Sequence, residues 1–415
     1  MVAGKSSADA IGPLLGGLSP AAFLRAHWQK RPLLVRQAIP GFRGIVSRDA
    51  FLALATRPDA RSRLVIHHLH PRRAPAGRWE RHDGPFGALE ADMLPARGWT
   101  LLVNSVESLL PGGWEILRRF SFLPAARIDD LMISYAADGG SVGPHDDLYD
   151  VFLLQGPGRR RWQVSRQRDR AVDPDAAIKV LRSFVPEDEW VLEPGDMLYL
   201  PPGIAHHGVA EGPCFTYSIG FLAASHADLH RQFFSYLGEL LGANADPTAM
   251  YQDPELTSAA ASPHEIGDAM VARVAAVVGA ARWSAADVAD FLGRFLTRPK
   301  PQLRFAPPAR PLDRAAFERA AFDRRVVGRG GPLRRLGLAL PSRGLVRHGR
   351  LFLNGEAYAP PRAALPALRT LLADRALPLP LPAALRDDAT LALLHAWYAA
   401  GHLTLLPSPR GRGPG

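Results

Sequence analysis

Three rhythms of apolar and polar positions follow one another along the chain. Residues 19–60 carry helical spacing, with Phe23, Leu24 and Trp28 recurring in a segment opened by Ser19-Pro20. A serine caps the first free N–H groups of a helix and a proline fits its first turn, so a helix is expected there. From about 62 to 225 the runs shorten to Ser62–Ile66, Trp99–Asn104, Leu131–Tyr135, Tyr149–Leu154, Arg160–Val164, Met197–Leu200 and Phe215–Phe221, parted by Gly and Pro. Short strands at that spacing predict an antiparallel barrel or jelly roll. Residues 226–297 return to the helical period in Leu229–Leu241 and Ile266–Val278, until Arg298-Pro-Lys-Pro-Gln302 interrupts it. Residues 312–405 then mix helices with short strands around Gly344–Gly355, the size and order of a winged-helix module. The expected class is α+β: a jelly-roll barrel, a helical segment and a winged-helix-like end. The expected bounds are 1–225 for the barrel with its N-terminal helices, 226–300 for the helical region and 301–406 for the last module. A Gly/Pro/Arg tail, 407–415, is expected to be disordered.

Composition narrows the function classes. With 47% hydrophobic and 22% charged residues in 415, the chain is expected to fold, and its length exceeds what one core usually serves. No run approaches the roughly 20 apolar residues of a membrane span, and no basic-then-apolar leader opens the chain, so a cytoplasmic protein without a membrane partner is expected. The single cysteine, Cys214, excludes a disulfide framework and a cysteine-based zinc site within one chain. Any metal must therefore use histidine and carboxylate. Lys+Arg number 50 against Asp+Glu 40, which favours an anionic surface such as RNA, although arginine is abundant everywhere in this chain.

The chemistry concentrates in two stretches. In Gly139-Gly-Ser-Val-Gly-Pro-His145-Asp-Asp147-Leu-Tyr-Asp150, His145 and Asp147 are two apart, so on a strand both point to one face. Further on, Glu193-Pro-Gly-Asp196 and Pro201-Pro-Gly-Ile-Ala-His206 form a cupin-type signature that presents a histidine just after a turn. His207 follows directly and is the alternative ligand. Two imidazoles and one carboxylate leave three positions open on iron(II), enough for a bidentate 2-oxo acid and O₂. The far carboxylate of such a co-substrate needs a buried cation. Among Arg159, Arg160 and Arg161, alternation puts Arg160 on the face of Trp162 and Val164, and leaves Arg159, Arg161, Gln163 and Ser165 on the polar one. By the same rule Asp130, Met132 and Ser134 form one face of their strand and Leu131, Ile133 and Tyr135 the core face.

At these residues the sequence resembles the bacterial JmjC-type ribosomal oxygenases, arginine 3-hydroxylases of a large-subunit ribosomal protein. Trp28-Gln-Lys-Arg-Pro32, Asp83-Gly-Pro-Phe86, Arg127-Ile-Asp-Asp-Leu-Met-Ile-Ser134, Val142-Gly-Pro-His-x-Asp147, Tyr149-Asp-Val-Phe152, Gly158-Arg-Arg-Arg-Trp162 and Glu193-Pro-Gly-Asp196 occur in order as family motifs, strongest over residues 19–225. The resemblance implies a JmjC cupin barrel with iron(II), 2-oxoglutarate and O₂. His145, Asp147 and His206 would bind the metal, with Arg160 and Ser134 on 2-oxoglutarate. Asp130, Met132 and Tyr149 are similar to residues that receive the substrate arginine. It further implies homodimerisation through 226–297 and a ribosomal-protein partner, with ribosomal RNA as a secondary contact. The insert His67–Arg78 and the Arg-rich tail match nothing in the family, and the His67/His68/His70 cluster reads as a surface loop before it reads as a zinc site.

Three functional alternatives are set beside arginine hydroxylation: the same chemistry on histidine or asparagine, a demethylation, and a non-catalytic cupin associated with nucleic acid. A sensor has no use for a 2-oxo acid clamp, so Arg160 speaks for the enzyme. On the substrate face, Asp130 has no evident internal cation in the sequence, and the expectation is that a guanidinium fork from the substrate pairs with it bidentately.

Overall fold

A computed structural model of the chain describes residues 12–68, 78–87, 94–254, 256, 264–323 and 333–407. They cluster into two compact units. One holds the chain up to Ala223 with Pro299–Arg343 and the residues from Pro360; the other holds Ala224–Arg298 with Gly344–Ala359. The stretch 301–406 is thus divided, its Gly344–Ala359 hairpin grouping with the helical segment. The tail beyond 407 lies outside the described residues.

The first unit opens on the helix Pro20–Ala26, where Ser19 Oγ accepts the Ala22 N–H at 3.2 Å and Pro20 takes the first position. Its Phe23 is fully buried against Tyr199 and Phe152. Strands are numbered in chain order. An eight-stranded sheet runs β1 (Leu33–Val35), β10 (Met197–Leu200), β7 (Val151–Gln155), β12 (Cys214–Phe221), β5 (Ile128–Ala136), β4 (Trp99–Asn104), β2 (Arg61–His67) and β3 (Trp79–Asp83). Facing it is a four-stranded sheet, β6 (His145–Asp146), β11 (Ala205–Glu211), β8 (Arg159–Ser165) and β9 (Asp188–Leu192). The pairs within both sheets are antiparallel, the jelly-roll arrangement the spacing of short runs predicts. Every expected barrel strand is present, with ends shifted by a few residues.

Alternation along three neighbouring strands separates core from cavity. Leu101 and Val103 of β4, Leu131, Ile133 and Tyr135 of β5, and Phe215, Tyr217 and Ile219 of β12 enter one hydrophobic core. Their alternates line a cavity on the opposite face. Burying the core set, at about 25 cal/mol per Å² of apolar surface, holds the sheet against the N-terminal helices and leaves its more polar face turned toward the second sheet.

Strand β9 carries too many charges to read as a strand, yet it is fixed by them. Glu189 meets Arg161 and accepts from Gln163 at 2.7 Å, while Glu187 just before it accepts from Arg166 at 2.9 Å. Arg161 also pairs with Glu211 of β11, and Arg159 reaches the same carboxylate at 3.4 Å. The polar arginine face of β8 is thus neutralised by acids on the adjoining strands.

Within the same unit, the sheet of β17 (Ala376–Pro378), β13 (Leu333–Leu338) and β18 (Leu403–Pro407) packs with the helices Leu365–Asp374 and Asp388–Ala399. Arg375 lies 3.9 Å over the Trp114 ring and donates to the carbonyls of Ala339, Leu340 and Ser342. In the second unit the helix His226–Asn244 packs on Ala285–Thr297, with Phe233 edge-on to Phe291 and the Tyr236 hydroxyl donating to Asp290 at 3.1 Å. The sheet β14 (Gly344–Arg347), β15 (Arg350–Leu353) and β16 (Glu356–Tyr358) lies against the second of these helices, where a Cβ on Gly293 would come 2.4 Å from Phe352.

Candidate active site

The cavity between the two sheets encloses about 160 Å³. The eight-stranded sheet supplies Thr100, Leu102 and Asn104 from β4, Asp130, Met132 and Ser134 from β5, and Thr216, Ser218 and Gly220 from β12. The pairing register sets Thr216 beside Ser134, Ser218 beside Met132 and Gly220 beside Asp130. From the other sheet come His145, Arg160, Trp162 and His206, with Asp147 and Tyr149 from the loop after β6. His145, Asp147, His206, Arg160, Ser134, Asp130, Met132 and Tyr149 all meet here, and Thr100, Asn104 and Thr216 join them. Those three were missed because only alternation within an already assigned sheet marks them, and no motif does.

Ligand atoms of His145, Asp147 and His206 lie within 4.8 Å of one another, close enough for one ion. His145 and His206 are register partners across β6 and β11, with ring centroids 4.3 Å apart. Each ring is anchored: His145 Nδ1 is 2.9 Å from the Gly143 carbonyl and His206 Nδ1 is 2.9 Å from that of Ile204. A carbonyl only accepts, so Nδ1 carries the proton and Nε2 presents its lone pair to the metal position. Burial and the neighbouring His145 push His206 down to about 4, which keeps it a neutral ligand. The choice between neighbouring histidines is decided by the pleat. His207 points to the other face, edge-on to Phe184, and is not part of the cluster. Between the two ligands of the H-x-D pair, Asp146 turns away to Lys179 at 2.8 Å and Arg170 at 3.8 Å, which pins the loop.

Arg160 is inward, as alternation predicts, and 4% exposed. Its Nε and Nη2 have no hydrogen-bond partner among the described residues, and the same holds for the buried Thr100 and Thr216 hydroxyls and the Trp162 indole N–H. All four side chains line the cavity. A buried guanidinium without a partner is costly, so a group of donors this dense is built to take an anion.

At Asp130 the structure corrects the sequence reading. Its Oδ2 accepts from Asn104 Nδ2 at 3.2 Å, the Ser105 N–H at 3.1 Å and Ser105 Oγ at 3.4 Å, and Lys300 Nζ stands 3.5 Å away. An internal cation therefore exists. It was invisible because Lys300 lies far along the chain in the proline-flanked segment taken as a boundary. Oδ2 is thus already engaged, which leaves Oδ1 as the open oxygen. Arg127, at the start of the same strand, does not reach Asp130 but approaches Asp150 at 3.7 Å, whose carboxylate also accepts from Tyr199 and Gln29. Tyr149 sits at the cavity mouth, 40% exposed; burial of its hydroxyl end and the nearby Asp147 push the phenol strongly upward, so it stays protonated.

The histidine cluster of the insert is not a metal site among the described residues: His67 stacks on Trp79 at 3.9 Å and His68 lies 3.1 Å from Glu80. His70 falls outside them.

A jelly roll with a His/Asp/His cluster defines the class, and the JmjC domain family matches residues 115–229, followed by a ROXA-like winged helix over 280–404. The ribosomal protein uL16 3-hydroxylase of Escherichia coli (strain K12) is 33% identical over 386 residues, 92% of this chain and 96% of that protein. A probable ribosomal oxygenase of Haemophilus influenzae is 38% identical over 207 residues, 49% of each chain. The solved structure of YcfD, a ribosomal oxygenase from Escherichia coli in complex with cobalt and 2-oxoglutarate, aligns with a TM-score of 0.73 at 30% identity, covering 93% of this chain and 98% of that one. The chain belongs to the JmjC-type ribosomal oxygenases.

Proposed function

We propose that the protein is an iron(II)- and 2-oxoglutarate-dependent hydroxylase that acts at Cβ of an arginine in a large-subunit ribosomal protein. The observation that carries this reading is the buried Arg160, whose Nε and Nη2 have no hydrogen-bond partner among the described residues, in the same cavity as the His145, Asp147 and His206 cluster. Iron(II), when bound, supplies the O₂ chemistry that oxidises 2-oxoglutarate to succinate and CO₂ and inserts one oxygen atom into the substrate C–H bond. His145, Asp147 and His206 would hold it through two imidazoles and one carboxylate. Arg160 pairs with the far carboxylate of 2-oxoglutarate, and the hydroxyls of Ser134, Thr100 and Thr216 complete a donor wall around it. Asp130 receives the substrate guanidinium, Met132 packs along its stem, and Tyr149 closes the mouth with a protonated phenol. The protein's contribution is positioning.

The working protein in this reading is a homodimer. The helix Asp268–Gly279 has no buried residue, yet it shows Met270, Val271, Val274, Val277 and Val278 to solvent, Val277 at 71% exposure. A stripe of that kind is what a second copy covers. No described helix is long and apolar enough to cross a membrane. A ribosomal substrate is met in the cytoplasm, the compartment proposed for the chain.

The test is anaerobic reconstitution with iron(II), 2-oxoglutarate and an arginine-containing ribosomal peptide, followed by air and mass spectrometry. One oxygen added at the arginine Cβ is expected. Oxygen on histidine or asparagine overturns the arginine assignment, and absence of both product and succinate overturns the oxygenase itself.

A further inference from the structure

The two acids on the substrate side of the cavity wall already meet a cation. Lys300, between Pro299 and Pro301, places Nζ 3.1 Å from Asp129 Oδ1 and 3.5 Å from Asp130 Oδ2, with its side chain 27% exposed. Asp130 divides its two oxygens. Oδ2 is held by Asn104 and Ser105, whereas Oδ1 accepts no hydrogen bond from a described residue and faces Gly220 of the cavity wall, whose Cβ would stand 3.5 Å from it. Behind this pair, Glu107 accepts from the Leu131 N–H at 3.0 Å and from Arg343 at 2.9 Å. Arg343 donates as well to the carbonyls of Ile128 and Asp129. Arg343 is thus locked to the backbone of β5 and neutralised by Glu107. Among the described residues, Lys300 is a cation that meets both Asp129 and Asp130, on a flexible stem and partly open to water.

We propose that Lys300 is the resting counter-ion of the substrate pocket and sets its selectivity: it neutralises the Asp129–Asp130 pair in the empty enzyme, and yields Asp130 to the substrate's guanidinium while staying on Asp129. The inference rests on the arginine reading above. Without a cation the two adjacent carboxylates would repel each other across a partly desolvated wall. With Lys300 in place, a neutral side chain has nothing to offer in exchange. A lysine substrate would trade one ammonium for another at no gain. A guanidinium, planar and less strongly hydrated, reaches the open Asp130 Oδ1 and keeps further donors for Tyr149, so it alone draws the Asp130 charge away from Lys300, which holds that carboxylate only through Oδ2 at 3.5 Å.

The experiment compares wild type with Lys300→Met and Lys300→Arg, using an arginine peptide and its lysine counterpart. Binding is read by calorimetry on the metal-free protein, and KM and kcat on the iron-loaded enzyme. For Lys300→Met the arginine peptide should bind about fivefold more tightly, as expected for losing a partly exposed ion pair that competes with it. The lysine peptide should gain more, so that the preference narrows, with KM for 2-oxoglutarate unchanged. For Lys300→Arg the resident fork competes better and arginine-peptide affinity should fall. Unchanged affinity and preference in both variants, or weaker arginine binding in Lys300→Met, overturns the proposal. Should Lys300→Met fail to fold, Lys300→Arg decides alone, since wild-type affinity there contradicts competition. If wild type itself neither binds nor hydroxylates the arginine peptide, the arginine reading fails and this inference with it; if wild type does both and the variants behave alike, only the counter-ion role fails.

Discussion

His145 and His206 stand opposite each other across β6 and β11, each imidazole tied through Nδ1 to the carbonyl two residues before it. The backbone of two adjacent strands thereby aims both Nε2 atoms at one point. Replacing His145, Asp147 or His206 with Ala should abolish hydroxylation in a mass-spectrometric assay while the thermal midpoint changes little, because the ligands border a cavity. His207→Ala, on the far face against Phe184, should keep most of the turnover. The reverse ranking of the two histidines would refute the assignment.

The anchoring carbonyl of His145 belongs to Gly143, whose φ is +75° and whose Cβ would come 2.9 Å from Val180 and 3.1 Å from Trp79. Gly143→Ala should strain this turn by about 1–2 kcal/mol and shift the ring's support. Metal titration followed by the loss of intrinsic fluorescence or by calorimetry should show affinity reduced about tenfold or more, as for a lost ligand-orienting partner. Unaltered metal affinity would mean that the Gly143 contact does not orient the ring.

Arg160 and Arg161 are neighbours with opposite fates. Arg160→Ala removes the buried partner of the co-substrate's far carboxylate, a loss of about 2–5 kcal/mol, so KM for 2-oxoglutarate should rise more than tenfold. Arg161 is spent on Glu189 and Glu211 at the surface. Arg161→Ala should leave that KM nearly unchanged, and equal sensitivity at the two positions would contradict the clamp.

Asp196 predicts an acid-labile turn. Burial raises its carboxyl, but the Gln37 and Glu193 N–H groups and Arg36 outweigh this and hold it below the usual value. A depressed carboxylate stabilises the fold above its unfolded pKa, about 3.9, and that stabilisation is lost as pH falls through the lower folded value. Asp196→Ala should therefore cost about 1–3 kcal/mol in urea unfolding at pH 7. The gap to wild type should shrink toward pH 3; a gap that widens on acidification would show the sign to be wrong.

The apolar stripe on Asp268–Gly279 predicts self-association. Sedimentation should give twice the chain mass for wild type, and Val277→Asp should yield monomer at the same concentration. A wild-type monomer would leave the stripe to another partner.

Much of the site was legible because strand alternation is a covalent matter. Successive side chains of an extended backbone point to opposite faces whatever surrounds them, so Arg160 could be separated from Arg159 and Arg161, and Asp130 and Ser134 from Ile133, before any fold was known. The H-x-D spacing worked for the same reason, and the Ser19-Pro20 start of the first helix is local chemistry of the cap. Strand β9 escaped because Asp188 and Glu189 make it strand-like only once Arg161 and Gln163 lie beside them.

The sequence by itself determined which residues could face a cavity and which chemistry they could carry: two histidines and a carboxylate for a metal, one inward arginine for an anion, one carboxylate for a cation. Only the tertiary structure decided what meets what. Thr216 became a neighbour of Ser134 through the order of strands in the sheet, and Lys300 became a partner of Asp130 through the return of a distant segment to β5. Periodicity is written in the backbone of each segment, whereas such pairings depend on how segments pack to bury apolar surface, and no local pattern encodes that.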